Sequence, residues 1–364
     1  MPDRLKKFQD LLVSRKLDCY ILTSNTNIRY LTDFPASDSI FIVFHPKGAY
    51  GPKKAIYLTD SRYSEEAKLG LKGIKVEEFT HNITKTMFEI LSKNTVPLTG
   101  ARQKAGFDDR HLSLNRFKLF QKECPKKIEL VCANHLVEGM RETKEKSEID
   151  QIRECLKLNL AAYKYLKGVI KPGLTEKDVL LKLENYVRSK GAGFAFDPII
   201  ASGPNGAFPH AKVTDRKIKN NEPVLVDMGI DIKGYKSDLT RMFFLGKMSN
   251  LYTKVYAAVE EAQQRAIAKI SAGVKTADVD AAARKYLESL DLAKYFGHSL
   301  GHGVGLDIHE DPRLAAQSGV TLKEGMVVTV EPGVYLPGQF GIRLEEMVLV
   351  KKNGCEVLSR PKAG

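Results

Sequence analysis

The segment VLVDMGIDIKGYKSDLTRMFFLG, residues 224–246, indicates the fold of the second half of the chain. Two β-type runs flank a glycine-containing turn, which is typical of an antiparallel hairpin. If Asp227 and Asp238 pair across it, the turn is centred between Ile232 and Lys233. Directly opposed residues share a face, with Cβ atoms ~4.5–5.5 Å apart. Two such carboxylates repel unless protonated or bridged by cations, whereas a one-residue slip would point one of them outward.

Two further acids and one histidine extend this pair. Glu331 ends the apolar run VVTVEPG (327–333), and Glu345 interrupts GIRLEEMVLV (341–350). Lone carboxylates are costly in buried strands, so we expect both to join Asp227 and Asp238, with His302 adding a nitrogen. This oxygen-rich set suits two divalent cations, Mn²⁺ or Co²⁺ foremost with Zn²⁺ or Fe²⁺ as alternatives, better than a structural zinc. The chemistry implied is metal-assisted hydrolysis.

A competing interpretation comes from FGHSLGHGVGLDIHEDP, residues 296–312, which spells G-x-S-x-G around Ser299. A nucleophile elbow needs a helix directly after the serine, but three glycines follow within six residues. The only histidines beyond Ser299 are His302 and His309, both too close in sequence for the usual distant partner. The pattern therefore disfavours a serine hydrolase. H-E-x-x-H is also absent, since the His298/His302 pair encloses no glutamate.

The rest of the chain predicts two domains, and 364 residues suffice for both. Strands alternating with helices predict an α/β layer domain over 1–137. The segment 141–170 predicts a long linker helix from about residue 143, which opens a catalytic domain over 138–364. Thr175 is a candidate N-cap and Gly191 a stop for the next helix. Helices at 251–270 and 276–290, with strands at the end, make this domain α+β.

The amino-acid composition limits the classes of partner that we expect this protein to bind. The net charge of +13 is spread evenly over both halves, so we expect no nucleic-acid partner. No apolar window is long enough to cross a bilayer, so we expect no membrane partner. The first residues carry no signal-peptide pattern, and the five cysteines are dispersed; together these features predict a cytoplasmic protein with reduced thiols.

The motifs resemble, in family order, the Xaa-Pro peptidases of the prolidase, aminopeptidase P and creatinase group, peptidase family M24. Segments 18–34 and 55–67 are similar to the non-catalytic N-terminal domain of that family, and 140–155 is similar to its linker helix. Segments 199–211, 224–246, 296–312, 329–335 and 341–350 follow as the catalytic motifs. The resemblance implies a pita-bread catalytic domain that is preceded in the chain by a smaller creatinase-type α/β domain. It also implies a homodimer.

The resemblance also implies roles for individual residues. The expected metal ligands are Asp227, Asp238, His302, Glu331 and Glu345. Asp238 would bridge the two metals, and Glu331 would act as general base on a metal-bridging water. His210, His298 and His309 would line the substrate, and Arg343, beside the last glutamate, would support the site. The implied substrates are short peptides with proline in the second position.

Three alternatives stay open at this stage. A dipeptidase must bind the free carboxylate of its proline, for example with Arg313, whereas an aminopeptidase must leave that side open. A non-enzymatic pita-bread interaction module is disfavoured by the intact ligand types, and creatinase itself keeps the fold without them. A methionine aminopeptidase-like exopeptidase is disfavoured because that group lacks the N-terminal α/β domain.

Overall fold

The computed structural model of the chain describes residues 2–47, 55–94, 97 and 102–360. Tertiary contacts divide the chain into two compact units, Met1–Arg141 and Glu142–Gly364. The division falls four residues beyond the sequence-based boundary at 137/138, after a short helix that packs with the first unit. Among the described helices, none is both long and apolar enough to cross a membrane.

The N-terminal unit is a layered α/β domain, as its alternating pattern predicts. Its described helices are α1 (Pro2–Ser14), α2 (Asn25–Thr32), α3 (Ser64–Gly70), α4 (Ile83–Asn94), α5 (Leu114–Glu123) and α6 (Leu136–Arg141). Its described strands are β1 (Cys19–Leu22), β2 (Ile40–Phe44), β3 (Ala55–Thr59), β4 (Lys75–Glu78), β5 (Gln103–Phe107) and β6 (Ile128–Cys132). They form one mixed sheet in the order β4-β3-β2-β1-β5-β6.

Both faces of this sheet are covered, because its central strands are apolar without interruption. All residues of β1, β2 and β3 are buried. Side chains such as Ile21 and Ile42 pack with Phe88 of α4 and Phe120 of α5 on one face. On the other face, the ring of Tyr20 meets Phe8 of α1 edge to face. Continuous apolar strands of this kind are expected wherever helices cover both sides of a sheet.

The C-terminal unit is α+β, with helices packed on antiparallel strands. Its described helices are α7 (Lys146–Val169), α8 (Glu176–Ser189), α9 (Asn250–Lys269) and α10 (Thr276–Ser289). The first group of strands is β7 (Gly193–Phe194), β8 (Ile199–Ser202), β9 (Glu222–Met228), β10 (Ile230–Ile232), β11 (Tyr235–Lys236) and β12 (Leu239–Leu245). The second group is β13 (Gly301–Gly303), β14 (Glu310–Leu314), β15 (Val327–Val330), β16 (Gly333–Leu336), β17 (Phe340–Arg343), β18 (Glu346–Val350) and β19 (Cys355–Val357).

These strands form four small sheets rather than one continuous sheet. Their orders are β11-β10-β7, β12-β9-β8, β14-β13-β15-β18-β19 and β16-β17. The pairs within them are antiparallel. Helices α7 and α8 share one apolar cluster with the β9 and β12 strands, and α9 and α10 share another with β15 to β18. The strand ends between these two clusters carry the predicted site.

Both helix starts that the sequence predicts follow capping chemistry. Helix α7 begins at Lys146 rather than near 143, because Glu145 and Glu148 form a capping box at its N-terminus. Helix α8 begins after Thr175, whose hydroxyl accepts a hydrogen bond from the backbone N–H of Asp178. The predicted N-cap is therefore confirmed. Gly191 adopts a φ of 73°, which suits glycine and follows the end of α8.

The predicted hairpin forms, but its register differs from the expected one. Asp227 lies opposite Thr240, not opposite Asp238. The turn residues are Lys233 and Gly234, with φ of 51° and 82°, so the turn centre lies one residue later than predicted. Positive φ at both central residues is typical of a type I′ turn, which commonly has glycine in the second position.

The corrected register still keeps both aspartates on one face. Asp238 lies two residues from Thr240, and side chains two apart on a strand point to the same side. Asp227 and Asp238 are therefore diagonal neighbours rather than a directly opposed pair. The hairpin is also divided near Gly229, since β9 and β12 belong to one sheet while β10 and β11 belong to another.

Candidate metal centre

The five predicted ligands lie at strand positions of the C-terminal unit. Asp227 lies in β9, Asp238 directly precedes β12, and His302 is the middle residue of β13. Glu331 follows the last residue of β15, and Glu345 lies between β17 and β18. Three of the five, Asp238, Glu331 and Glu345, therefore lie just outside strands, where the backbone can turn a polar group out of an apolar layer.

Ligand-capable atoms of these residues converge in overlapping groups. Oxygens of Asp227, Asp238 and Glu345 lie within 4.8 Å of one another, as do ligand atoms of His302, Glu331 and Glu345. His302 Nε2 is 3.5 Å from Asp238 Oδ2 and 3.4 Å from Glu331 Oε1. Glu345 is common to the first two groups. The five side chains thus form one continuous cluster, in which two cations could share ligands.

His302 presents one particular nitrogen to the cluster. Its Nδ1 lies 3.0 Å from the carbonyl oxygen of Gly303, and a carbonyl can only accept, so Nδ1 carries a hydrogen. Burial lowers the pKa of His302, but the hydrogen bond and charge of Glu331, with the charge of Asp238, outweigh it and raise the pKa to about 9. A cation on Nε2 would take the place of that second proton.

The buried acids carry oxygen atoms that a cation would satisfy. Within the described part of the chain, neither Asp227 Oδ1 nor Glu345 Oε1 has a hydrogen-bond partner. Burial, reinforced by the charge of Asp227, raises the pKa of Asp238 well above its ordinary value. Burial and the charge of Asp238 raise the pKa of Glu345 likewise. Carboxylates crowded in this way stay ionised together only if positive charge compensates them, so the donor set fits divalent cations.

Arg343 supplies one such charge beside the cluster. Its guanidinium is 3% exposed and donates from Nη2 to Asp227 Oδ2 at 2.6 Å and from Nε to Thr240 Oγ1 at 2.9 Å. Thr240 in turn donates to Glu345 Oε2 at 2.9 Å. Arg343 therefore contacts Asp227 directly and is linked to Glu345 through Thr240. Thr240 was missed from the sequence because the expected hairpin register did not set it opposite Asp227.

Tyr335 is a second residue that sequence reasoning missed. Arg343 Nη1 donates to its hydroxyl at 2.7 Å, and the hydroxyl lies 3.0 Å from His298 Nε2. His298 Nδ1 lies 2.8 Å from the Ser299 carbonyl and carries a hydrogen for the same reason as His302 Nδ1. Tyr335 therefore donates to His298 Nε2 and links it to Arg343. In the sequence, its hydroxyl is marked only as a polar group within the otherwise apolar strand GVYL of β16.

The remaining predicted residues lie at the exposed side of the cluster. His309 is exposed, and its ring packs edge to face on His302 with centroids 4.4 Å apart. A nitrogen of His309 also lies within 4.8 Å of ligand atoms of Asp238 and His302. His210 is exposed as well, and its charge contributes to lowering the pKa of His298 and His309, in both of which burial is the larger cause.

Ser299 lies next to this cluster without the surroundings of a nucleophile. The chain after it continues as β13 through Gly301–Gly303 rather than as a helix. Its hydroxyl accepts a hydrogen bond from Arg313 Nε at 3.1 Å. Added Cβ atoms at Gly301 and Gly303 would collide with backbone atoms of Thr329 and Asp311, so these glycines allow β13 to pass close to its neighbours.

Comparison with known proteins assigns the class. The profile of metallopeptidase family M24 matches residues 150–352, and that of the creatinase/prolidase N-terminal domain matches residues 4–143. The chain therefore belongs to metallopeptidase family M24, with the two-domain pita-bread layout that the motifs predict.

Individual relatives match over nearly their whole length. The Xaa-Pro dipeptidase of Pyrococcus furiosus is 31% identical over 99% of this chain and 98% of its own length. The solved Xaa-Pro dipeptidase from Bacillus anthracis is 31% identical, with a TM-score of 0.90 over 100% of this chain and 98% of that one. The X-Pro aminopeptidase from Thermotoga maritima is 30% identical, with a TM-score of 0.84 over 96% and 97%.

Proposed function

We propose that this protein hydrolyses the peptide bond before proline, using two divalent cations held by Asp227, Asp238, His302, Glu331 and Glu345. The observation that carries the proposal is the buried cluster of carboxylates in which Asp227 Oδ1 and Glu345 Oε1 lack donors among the described residues. Similarity to one X-Pro aminopeptidase and two Xaa-Pro dipeptidases supports the substrate class.

A pair of cations in this cluster would polarise the scissile carbonyl and bring the pKa of a bridging water near neutrality. Glu331 is the proposed general base. Burial alone would raise the pKa of Glu331, but the hydrogen bond and charge of His302 lower it, so the carboxylate is ionised and can accept a proton. Thr329 Oγ1 donates to Glu331 Oε1 at 3.2 Å and orients it. Glu331 would then pass the proton to the departing nitrogen.

His210, His298 and His309 are the proposed substrate-side residues. Burial lowers the pKa of His298, which keeps this imidazole neutral near pH 7. The Ser299 carbonyl on Nδ1 and the Tyr335 hydroxyl on Nε2 together fix its tautomer. Neutral histidines of fixed orientation can position the carbonyl, stabilise the developing oxyanion or transfer protons. Arg343 would hold Asp227 in place while a cation binds the other oxygen of that carboxylate.

The activity assay tests the proposal directly. Metal-free protein supplied with Mn²⁺ or Co²⁺ should cleave Ala-Pro or Ala-Pro-Ala, and EDTA should stop the reaction. Ala-Ala should be a much poorer substrate. Failure to cleave either proline peptide while both cations are bound would contradict the proposed substrate, whereas failure to bind the cations would contradict the site.

The same substrates separate a dipeptidase from an aminopeptidase. Arg313 is exposed on β14, four residues after His309, and its charge contributes to lowering the pKa of that histidine. A dipeptidase in which Arg313 binds the proline carboxylate should lose kcat/KM for Ala-Pro in the Arg313→Met variant by about tenfold or more. Ala-Pro-Ala should be affected far less. Arg265→Met on α9 is the matched control, since Arg265 is also exposed, pairs with Glu261 one helical turn away and lies over the ring of Tyr286 on α10.

The remaining parts of the proposal concern metal, assembly and compartment. The oxygen-rich donor set favours Mn²⁺ or Co²⁺ over metals that prefer thiolates. We propose a cytoplasmic homodimer; all five cysteines are free thiols, as expected in a reducing compartment. Light scattering after size exclusion should give twice the chain mass of 40.6 kDa, and a monomer would contradict the assembly.

A further inference from the structure

Gln263 is a buried amide on the helix beneath the cluster. It lies on α9 and is 3% exposed. Its side-chain nitrogen donates to the carbonyl oxygen of Val330 at 3.1 Å and to that of Leu344 at 2.7 Å. The same helix face carries the fully buried side chains of Val259, Ala262 and Ala266. A polar side chain on such an apolar face is costly unless it is hydrogen-bonded, so these two contacts account for its place there.

The two carbonyl groups have one property in common. Val330 directly precedes Glu331, and Leu344 directly precedes Glu345. Each carbonyl therefore belongs to the planar peptide group that ends at the Cα of one of the two glutamates. One nitrogen atom of Gln263 thus contacts the peptide groups of both.

Each of these peptide groups is also held at its other end. The amide of Glu331 donates to the Leu300 carbonyl at 2.8 Å, and that of Glu345 donates to the Thr240 carbonyl at 3.4 Å. A planar group bonded through both its oxygen and its nitrogen cannot rotate freely about the chain. The direction in which each glutamate leaves the backbone is therefore set jointly by the strands and by Gln263.

A primary amide suits this position chemically. Carbonyl oxygens only accept hydrogen bonds, so the amide must turn its NH₂ group towards them, and that group has two hydrogens for two acceptors. A lysine could also donate twice, but it would bring a full charge into an apolar layer. A serine or threonine has one hydrogen and a short reach. The glutamine therefore joins the two peptide groups without changing the charge of the cluster.

We infer that Gln263 is a positioning residue for the metal centre, fixing the separation and direction of the Glu331 and Glu345 carboxylates. The inference rests on the proposed function, because it assigns Gln263 a part in building the proposed cation site. Without the amide, the end of β15 and the β17–β18 junction lose their common donor, and the two carboxylates move independently. A site whose ligands are less well ordered binds its cations more weakly.

The test uses Co²⁺ as the probe and the full chain stripped of metal. Calorimetry and the visible absorption of Co²⁺ are recorded for the natural protein, Gln263→Met and Val259→Ala. Methionine keeps the length and volume of glutamine but donates no hydrogen bond. Val259→Ala is the matched control, since Val259 lies one helical turn away on the same face and its truncation loosens the same packing. A general loosening would affect both variants alike.

We expect Gln263→Met to weaken Co²⁺ binding at least tenfold and to change the Co²⁺ absorption, while Val259→Ala stays within twofold of the natural protein. Gln263→Asn is measured in parallel. Asparagine stays polar but is one methylene too short to reach both carbonyls, so this variant should behave like Gln263→Met. If Gln263→Met does not fold, the result for Gln263→Asn tests the inference. Unchanged Co²⁺ affinity and absorption in the folded Gln263 variants would overturn the inference. So would equal losses in Val259→Ala. A natural protein that binds no Co²⁺ would instead refute the proposed function.

Discussion

At the scale of single residues, the cluster is defined by unbalanced charge. Four carboxylates, those of Asp227, Asp238, Glu331 and Glu345, meet one guanidinium and one imidazole, those of Arg343 and His302. Buried charges are tolerated when they are paired, so a remaining negative excess calls for cations. Polar residues that merely stabilised the fold would pair one to one, as Arg216 and Glu222 do at 2.6 Å elsewhere in this unit.

Removing one charge from the cluster should abolish metal binding. Asp238→Asn deletes a carboxylate that belongs to two of the overlapping groups. We expect this variant to lose stoichiometric Mn²⁺ binding and its kcat/KM to fall at least 100-fold. His302→Ala should act in the same way. Metal analysis after dialysis and the Ala-Pro assay measure the two effects.

Ser299→Ala is the control for those two variants. Ser299 lies in the same segment as His302 but contacts Arg313 rather than the cluster, so most activity should remain. Complete loss of activity in Ser299→Ala with metal still bound would favour the serine-hydrolase interpretation that the G-x-S-x-G pattern suggests.

The Tyr335 hydroxyl should affect the catalytic rate but not metal binding. Tyr335→Phe leaves the ring in place but removes the bond between Arg343 and His298. Groups that orient a proton-transferring or oxyanion-binding side chain contribute about 10²–10³-fold, so we expect kcat to fall within that range. Metal content should stay unchanged. A variant that loses metal together with rate would show that Tyr335 acts on Asp227 through Arg343 instead.

At the scale of elements, close backbone contacts hold the strands that carry the site. Gly341 of β17 lies against the Gly203–Ala207 turn, and a Cβ there would collide with the carbonyl oxygen of Gly206. That turn leads into the segment that carries His210, and Arg343 of β17 donates to the Pro209 carbonyl at 3.1 Å. The position of His210 relative to Arg343 therefore depends on how closely β17 and the turn approach each other.

Enlarging Gly341 should disturb both stability and catalysis. In Gly341→Ala the methyl group forces β17 and the turn apart, and overpacking of this kind costs about 1–3 kcal/mol. Urea unfolding should show this loss, with a lower kcat/KM because His210 shifts. Gly297→Ala is the control, since no atom lies within 4 Å of its added Cβ. Equal stability of the two variants would contradict the close approach.

At the scale of the whole molecule, the two units rely on different charge clusters. The N-terminal unit has its own group, in which Arg110 contacts Asp108 at 2.8 Å and Glu138 at 3.0 Å. His111 Nε2 lies 2.5 Å from Glu138 Oε1. Asp108, His111 and Glu138 are placed closely enough to hold a metal, but Arg110 contacts both carboxylates, and the hydrogen bond to Glu138 raises the pKa of His111, so that two cationic groups face the two carboxylates. This group is an ion-pair network, unlike the cluster of the C-terminal unit.

This network should make the N-terminal unit sensitive to acid. Burial would raise the pKa of Glu138, but bonds from His111 and Asn27 and the charge of Arg110 lower it to about 2. Its unfolded value is near 4.5, so the stabilisation is present above that pH and is lost as the pH falls from about 4.5 to about 2. The stabilisation is on the order of 3 kcal/mol.

Glu138→Gln should therefore be less stable than the natural protein at pH 7, and the difference should shrink towards pH 2. Hydrogen exchange of peptides from residues 102–141, measured across this pH range, follows the effect in the unit that carries it. Glu129→Gln is the control, because Glu129 is 41% exposed and its ion pair with Arg102 is long, at 3.9 Å. A difference between Glu138→Gln and the natural protein that stays constant with pH would contradict the assigned pKa.

The sequence by itself determined the two-domain α/β and α+β layout, the hairpin, and the types and order of the five residues proposed to hold metal. These features depend on local patterns, such as strand alternation, capping residues and acids in apolar runs, which act over a few neighbouring positions. Asp227 and Asp238 lie on one face, as predicted, although the predicted register was wrong. The predicted and observed registers differ by an even number of residues, which leaves each side chain on the same face. Local patterning therefore predicted which residues could meet.

Only the tertiary structure decided how those residues are held. The hairpin register, the Thr240 bridge, the Tyr335 link to His298 and the Gln263 contact with two strand ends all join residues distant in sequence. Such contacts follow from how helices and sheets pack, and packing depends on the volumes and distances of the whole core rather than on any short pattern. The sequence thus named the chemical groups of the centre, and tertiary packing set their distances and their partners.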